Sequence, residues 1–303
     1  MLRVRTLSIT IFIIVYISAH YLVSPSYGFI TQEEMEQFPS IKLNGTSASL
    51  YEGTKLIMKI SADSMGWAFP VDEITFRCAA VGYVVNKAMP FAFNDPVEIN
   101  LSKWDQSHPR ILFNRGPNKE YLVKFSDKGN QSPYIAFGFG QELGHVLIDY
   151  LKPGSPQMWF EEAFCEALAV WSLQQLALEW EKSIDLYYSK AFSSEAKFLL
   201  YDINPPTEGY PQWFAKNRGY LTGKINDRGK NSILAIKLIE YANADPTFFQ
   251  SFFYLRKNYP VKVVDSMEWV LKRWWENCPD HLKSGPERVA KLLGIKFAEE
   301  IYR

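Results

Sequence analysis

Charge of one sign is missing from this chain: thirty-three lysines and arginines stand against thirty-three aspartates and glutamates in 303 residues, so the formal net charge is zero. Without a basic excess there is no electrostatic footprint for nucleic acid, and nothing that favours an acidic polymer. Cysteine is scarce too. Cys78, Cys165 and Cys278 are the three present, too few for a disulfide-stapled scaffold and an odd number that leaves one thiol over if two pair; Cys78 with Cys278 is one such pairing. There is no internal repeat, no low-complexity tract and, beyond residue 23, no apolar run long enough to span a bilayer. What is left is a globular composition, 47% hydrophobic and 22% charged, able to build a sizeable core.

The one long apolar run is terminal. Arg3 and Arg5 precede the stretch from Leu7 to Val23, and Ser26-Tyr27-Gly28 follows with small residues where a signal peptidase reads them. Residues 1–28 are therefore expected to be an export signal, which makes the protein secreted or periplasmic. The run has 17 residues and includes Ser, Thr and His20, which is short for a spanning helix. Left uncleaved, residues 7–23 would act as an anchor, the sole membrane contact the sequence offers. The sequons at Asn44, Asn100 and Asn130 matter only where the source glycosylates exported proteins.

Chemistry concentrates in Gln141-Glu142-Leu143-Gly144-His145. The pattern is that of H-E-x-x-H, in which two histidines four residues apart on a helix hold one Zn²⁺ and the glutamate serves as general base, with glutamine in the first ligand position. Ser132-Pro133 supplies a helix start and Lys152-Pro153-Gly154 a stop. Between them Ile135, Phe139, Leu143, Val146, Leu147 and Tyr150 recur at helical spacing, and Gln141 and His145 project roughly opposite that stripe with Gly138 beside them. Taken alone, such a match is better explained as a solvated helix face carrying an ordinary Gln and His.

A second segment weighs against that explanation. Trp159-Phe160-Glu161-Glu162-Ala163-Phe164-Cys165-Glu166-Ala167-Leu168-Ala169 follows another Ser-Pro pair, Ser155-Pro156, and is aromatic, aliphatic or small apart from its glutamates. Carboxylates in a helix buried on most sides need a metal, a cation or hydrogen-bond donors. Glu162 and Glu166 lie one turn apart on one face, so either both pair with Lys or Arg of another helix, or Glu162 is a metal ligand and Glu166 supports the site from outside it.

Together the two segments resemble the gluzincins, zinc peptidases whose ligands are the two histidines of H-E-x-x-H and a glutamate from a following helix that often reads W-L-N-E-G-F-A-E. The resemblance assigns the general base to Glu142, ligands to His145 and Glu162, and the first ligand position to Gln141. With 16 residues between His145 and Glu162, the choice between Glu161 and Glu162 stays open. A glutamine carbonyl reaches about as far as an imidazole nitrogen but is a weaker donor for zinc. It would be oriented if its amide donates to Glu166; if the amide instead bonds Glu142 or Glu162, the cleft is metal-free. Cys165, near Glu162 on the helix, is the alternative replacement ligand, although a free cysteine among apolar residues usually only packs.

The resemblance implies an α+β fold: a zincin-like core of helix, small twisted sheet, motif helix and ligand helix, followed by a mainly helical C-terminal lobe. The matching elements are a helix from Val71 to about Lys87 and strands at Val97–Leu101, Arg110–Phe113 and Tyr121–Phe125, the last being the expected edge for an extended peptide. Further helices are expected at Asn231–Tyr241, from Asp245-Pro246 to Leu255, at Met267–Trp275 and at Pro286–Leu293, with their many aromatics packed in the core. The organisation expected is signal 1–28, N-terminal extension 29–70, core 71–180 and lobe 181–303. In resembling peptidases the lobe supplies a Tyr or His to steady the oxyanion; Tyr210, Tyr220 and His281 are the candidates here.

The function expected is that of an exported metallopeptidase-like protein with a degenerate zinc site, catalytically impaired or a pseudopeptidase, binding peptide or protein and holding Zn²⁺ weakly or not at all. Two alternatives are an active zinc peptidase that uses Gln141 as ligand, and an exported helical interaction protein in which the pentapeptide is accidental. Convergence discriminates them: in a zincin, Gln141, His145 and Glu162 meet beside Glu142. Signal cleavage is expected to leave a soluble mature chain beginning at or near Phe29. N-terminal sequencing of the exported protein checks this, and an intact Met1 in the membrane fraction would establish an anchor.

Overall fold

Period-two burial along the first third of the chain builds a sheet, and helical periodicity takes over afterwards. The computed structural model describes residues 30–91, 95–104, 108–125, 132–149, 156–183, 186–222, 227–256 and 266–296. The export segment, the sequon at Asn130 and the Lys152-Pro153-Gly154 stop lie outside the described residues. The elements run α1 (Gln32–Gln37), β1 (Ile41–Asn44), β2 (Ser47–Glu52), β3 (Lys55–Ala62), α2 (Val71–Ala88), β4 (Val97–Lys103), β5 (Arg110–Ile111), β6 (Tyr121–Phe125), α3 (Ser132–Leu147) and α4 (Met158–Trp180). Then come α5 (Tyr187–Leu200), α6 (Tyr210–Leu221), α7 (Arg228–Ala244), α8 (Thr247–Ser251), α9 (Met267–Asn277) and α10 (Ser284–Leu293), with single 3₁₀ turns at Phe252–Tyr254 and Asp280–Leu282. Among the described residues the chain is α+β, with one mixed sheet and ten α-helices. Among them no helix is long and apolar enough to cross a membrane.

The six strands lie in the order β1-β2-β3-β4-β6-β5. β1, β2 and β3 form an antiparallel meander, turning at Gly45 and Gly53, whose φ angles of 57° and 60° suit glycine. β3, β4 and β6 are parallel; parallel neighbours need a crossover, and α2 supplies it between β3 and β4. Residues 29–70 thus contribute three strands to the same sheet as the later ones. Their alternation, with Ala48, Leu50, Met58 and Ile60 buried, is a strand signal that the reading of the sequence passed over.

β6 is not the edge. β5 pairs antiparallel along it, and the Leu112 amide donates to the Leu122 carbonyl at 2.8 Å. Tyr121, Val123 and Phe125 are all buried, which suits a strand with a neighbour on each side. The edge is therefore β5, cut to two residues where four were expected, and Pro109 immediately before it brings no amide to continue the ladder.

Helix α2 opens with Asp72 and Glu73 in its first turn and carries Lys87 in its last, charges that complement the helix dipole. Its Arg77 is buried and donates to Glu34 of α1 at 2.5 Å and to the Tyr188 hydroxyl of α5 at 2.9 Å. α1 is itself closed by a reciprocal capping box between Thr31 and Glu34. Helices α5 and α6 were not anticipated. The C-terminal aromatics are core as expected: Phe164 stacks on Phe252 with centroids 4.1 Å apart, and Trp274 meets Phe252 at 4.3 Å. Helix α8 stops at Ser251 and passes into a 3₁₀ turn, with Asp245 accepting from the Thr247 amide. Cys78, Cys165 and Cys278 are free and buried.

Helix α4 packs against α3, α5 and α7. Its start differs from expectation: the N-cap is Gln157, whose side chain accepts from the Trp159 indole at 2.9 Å instead of capping the helix. Its approach to α3 is set by two glycines one turn apart. A Cβ on Gly140 would lie 2.9 Å from the Ala169 Cα, and one on Gly144 would lie 2.8 Å from the Cys165 sulfur and 3.0 Å from its Cα. Because backbone stands in the way, Gly140→Ala is expected to destabilise the fold by about 1–3 kcal/mol through overpacking. Gly219→Ala, on an exposed turn of α6 where a Cβ meets nothing within 4 Å, is expected to stabilise by about 0.5–1 kcal/mol. Urea denaturation of the two variants reads the contrast.

Candidate functional site

The close approach of α3 and α4 brings His145 against the first turn of α4. Glu161 accepts from His145 Nδ1 at 2.5 Å, and Glu162 Oε1 stands 3.7 Å from Nε2. The glutamate left undecided by the sequence thus separates into two roles. Glu161, buried, fixes the ring and its tautomer; Glu162, part of whose side chain reaches solvent, faces the other nitrogen. The end of α3 is tied to the sheet by the Tyr121 hydroxyl, which donates to the Val146 carbonyl at 3.2 Å. Asp149 then breaks the helix with a left-handed φ of 56°.

Glu142 lies on the sheet side. Its Oε2 accepts from the Ile111 amide of β5 at 2.6 Å, so the outward-facing N–H of the edge strand meets the expected general base. Gly138 makes this possible, since a Cβ there would lie 2.8 Å from Pro109 Cγ. Burial pushes the Glu142 carboxyl up to about 7, against His145 and the Ile111 amide, which favour its charge. A carboxyl balanced near neutrality has the basicity that proton transfer to or from a reacting group requires.

Burial works against an imidazolium at His145, but the Glu161 hydrogen bond and the charge of Glu162 favour it, and the ring titrates above its ordinary range. The Cys165 thiol, fully buried, is pushed up to about 12. Its sulfur packs against Gly144.

Gln141, one turn before His145, is half-buried. Glu166 is met instead from α7: Ser232 Oγ donates to its Oε1 at 2.5 Å and Arg228 Nε lies 3.8 Å from the same oxygen. An Arg of another helix is one of the two readings of Glu166 open from sequence; that it would be Arg228, with Ser232 beside it, was not foreseen, because no motif links residues so far apart in the chain. Of the oxyanion candidates, the Tyr210 hydroxyl donates to the Ile233 carbonyl and that of Tyr220 to Asp227, while His281 sits exposed on a 3₁₀ turn. No described contact joins any of the three to Glu142 or His145.

As a metal site the groups in contact supply one imidazole nitrogen and one carboxylate oxygen, and no described contact joins the Gln141 amide to either. Two ligands bound to a tetrahedral zinc at about 2.1 Å lie roughly 3.4 Å apart, close to the 3.7 Å between His145 Nε2 and Glu162. Among the described residues, however, no group of three or more His, Cys, Asp and Glu side chains is arranged to hold a metal ion. The pair can equally share a proton, which on Nε2 would set an imidazolium between Glu161 and Glu162. The chain matches no protein-family model, no curated protein and no solved structure.

The separation of roles is measurable. Glu161→Ala leaves a buried imidazole without its partner and is expected to cost about 2–4 kcal/mol, whereas Glu162→Ala, at a longer contact and partly in solvent, is expected to cost less than about 1 kcal/mol. Equal losses in thermal or chemical denaturation would show that the two glutamates do not differ in this way.

Proposed function

We propose that the chain is a metallopeptidase-like protein of zincin type whose zinc site is degenerate, and that its cleft binds peptide while hydrolysing it poorly or not at all. The observation that carries this reading is the meeting of His145 with Glu161 and Glu162 of the second helix while Glu142 lies against the edge strand. An accidental pentapeptide gives no reason for a following helix to present carboxylates to its histidine. Export through residues 1–28 belongs to the same proposal.

His145 Nε2, Glu162 and the Gln141 carbonyl would hold the ion, with Glu161 orienting the imidazole. Bound zinc would supply a Lewis acid for carbonyl polarisation and water activation. The residues themselves do the rest: Glu142 can exchange a proton, Ile111 fixes the carboxyl that does so, and the packed helices keep water from the back of the site. One amide oxygen in place of imidazole weakens the hold on the ion. The metal-free alternative draws support from the raised titration of His145, since a proton on Nε2 offsets one of the two carboxylate charges that flank the ring.

Gln141→His is expected to raise zinc affinity by tenfold or more in equilibrium titration, because it rebuilds the two-histidine pair beside Glu162. Glu162→Ala in that background is expected to remove most of the gain. Wild-type protein is expected to show little chelator-sensitive turnover of generic peptides. A folded Gln141→His protein that binds no more zinc than wild type would instead favour the helical interaction protein.

A further inference from the structure

Helix α5 buries only one side. Ser189, Phe192 and Ala196 are buried along a single face that packs toward α4, with Leu199 and Leu200 half-buried beside them. At about 100° per residue, Leu186, Lys190, Lys197, Phe198 and Tyr201 fall on the opposite side, within about 120° of arc. Phe198 is 74% exposed, Tyr201 83% and Leu186 45%. Single exposed apolar side chains are ordinary. Phe198 and Tyr201, however, are helix neighbours at i,i+3, and Lys197 stands beside both, so aromatic and cationic groups share one continuous surface.

The charge of this face has one sign, although the chain as a whole is neutral. Lys190 and Lys197 are exposed, and among the described residues no acid pairs with either. The single acid within α5, Glu195, lies about 60° beyond the arc and in the field of Arg228, and Asp202 follows past the helix end. Rings and a leucine set between unpaired ammonium groups suit a bilayer interface, where aromatics sit at headgroup level and lysine stems cover apolar surface while their ammonium groups reach the phosphates. A second copy of the chain fits this face worse, because an antiparallel two-fold pairing of α5 brings lysine against lysine. We propose that the outward face of α5 rests on the surface of a bilayer containing anionic phospholipid, a membrane contact separate from the apolar run at residues 7–23. The helix, about 20 Å long, lies in the plane of that surface. With two lysines and three apolar side chains the attachment is reversible, as that of a single acyl chain is. It is independent of whether the site between α3 and α4 holds a metal.

Vesicle flotation with the mature chain beginning at Phe29, which lacks the terminal apolar run, tests this on phosphatidylcholine alone and on phosphatidylcholine mixed with phosphatidylglycerol. The partition coefficient is expected to be roughly tenfold or more higher on the mixed vesicles at low salt, with the preference fading as salt is raised. Phe198→Ser combined with Tyr201→Ser should lower partitioning by roughly tenfold or more. Lys190→Gln combined with Lys197→Gln should bring binding on mixed vesicles down to the level on phosphatidylcholine. All four side chains face solvent, so the urea midpoints of both variants should match wild type. Met65→Ser, which removes an apolar side chain 82% exposed in the loop between β3 and α2, should leave partitioning unchanged. Equal partitioning onto both vesicles overturns the proposal, as does binding that survives the loss of both rings, or binding to neither vesicle. Self-association of wild type that is lost in the Phe198→Ser, Tyr201→Ser variant, without lipid binding, also overturns it and makes the face an interface between copies.

Discussion

The distance between α3 and α4 is the constraint on which the site depends. Gly140 faces Ala169 and Gly144 faces Cys165 across a gap that a single Cβ would close, and it is this approach that lets His145 reach Glu161 at 2.5 Å. The same closeness strips water from Glu142, Glu161 and Glu166, and a buried carboxylate without a partner costs several kcal/mol. Partners therefore come from other elements: an edge-strand amide for Glu142, an imidazole for Glu161, a serine of α7 for Glu166. Glu162 keeps part of its side chain in solvent, which lowers the cost of leaving its oxygens open to a ligand.

Two cations answer four carboxylates here. His145 sits between Glu161 and Glu162, and Arg228 sits beyond Glu166. Burial raises the carboxyls of Glu142, Glu162 and Glu166 alike, so protons supply part of the neutralisation that ions otherwise would. A divalent cation entering beside Nε2 would have to displace the imidazolium proton and any carboxyl protons, and its affinity would rise with pH for that reason. An ion at this site would therefore compete with protons for the same groups.

Local patterns in the sequence located most of the helices and the parts of the site that lie on them. The stripe of Ile135, Phe139 and Leu143 and the carboxylates of α4 stand at helical spacing, and the two helices do meet through His145 and its glutamates. What it did not disclose is long-range. The strands β1 to β3 were legible as alternation but carried no motif that called attention to them. β5 looked longer than it is because Leu112 and Phe113 are apolar, and the Leu112 amide still donates to the Leu122 carbonyl of β6 beyond the strand's end. Glu161 and Glu162 could not be told apart because adjacent helix positions differ by 100°, and which one faces Nδ1 depends on the rotation of α4. Gly140 and Gly144 were readable as a close-contact pair, four residues apart, but the small residues they face on α4 needed the fold.

The replacement of histidine by glutamine at position 141 acts on donor strength more than on charge. A neutral imidazole and an amide oxygen are both uncharged ligands, so the electrostatic demand of Glu142, Glu161 and Glu162 is the same with either. The amide carries no proton to titrate, and it can donate and accept hydrogen bonds at once. It can therefore meet a peptide backbone from the position where an imidazole would meet an ion. The fold imposes nothing that excludes Gln141: the side chain is only half-buried, whereas Glu142, His145 and Glu161 are held in the closed seam. Substitution at position 141 would leave the packing of the closed seam in place, and on the proposed function that independence makes the residue a direct test of how the site is used.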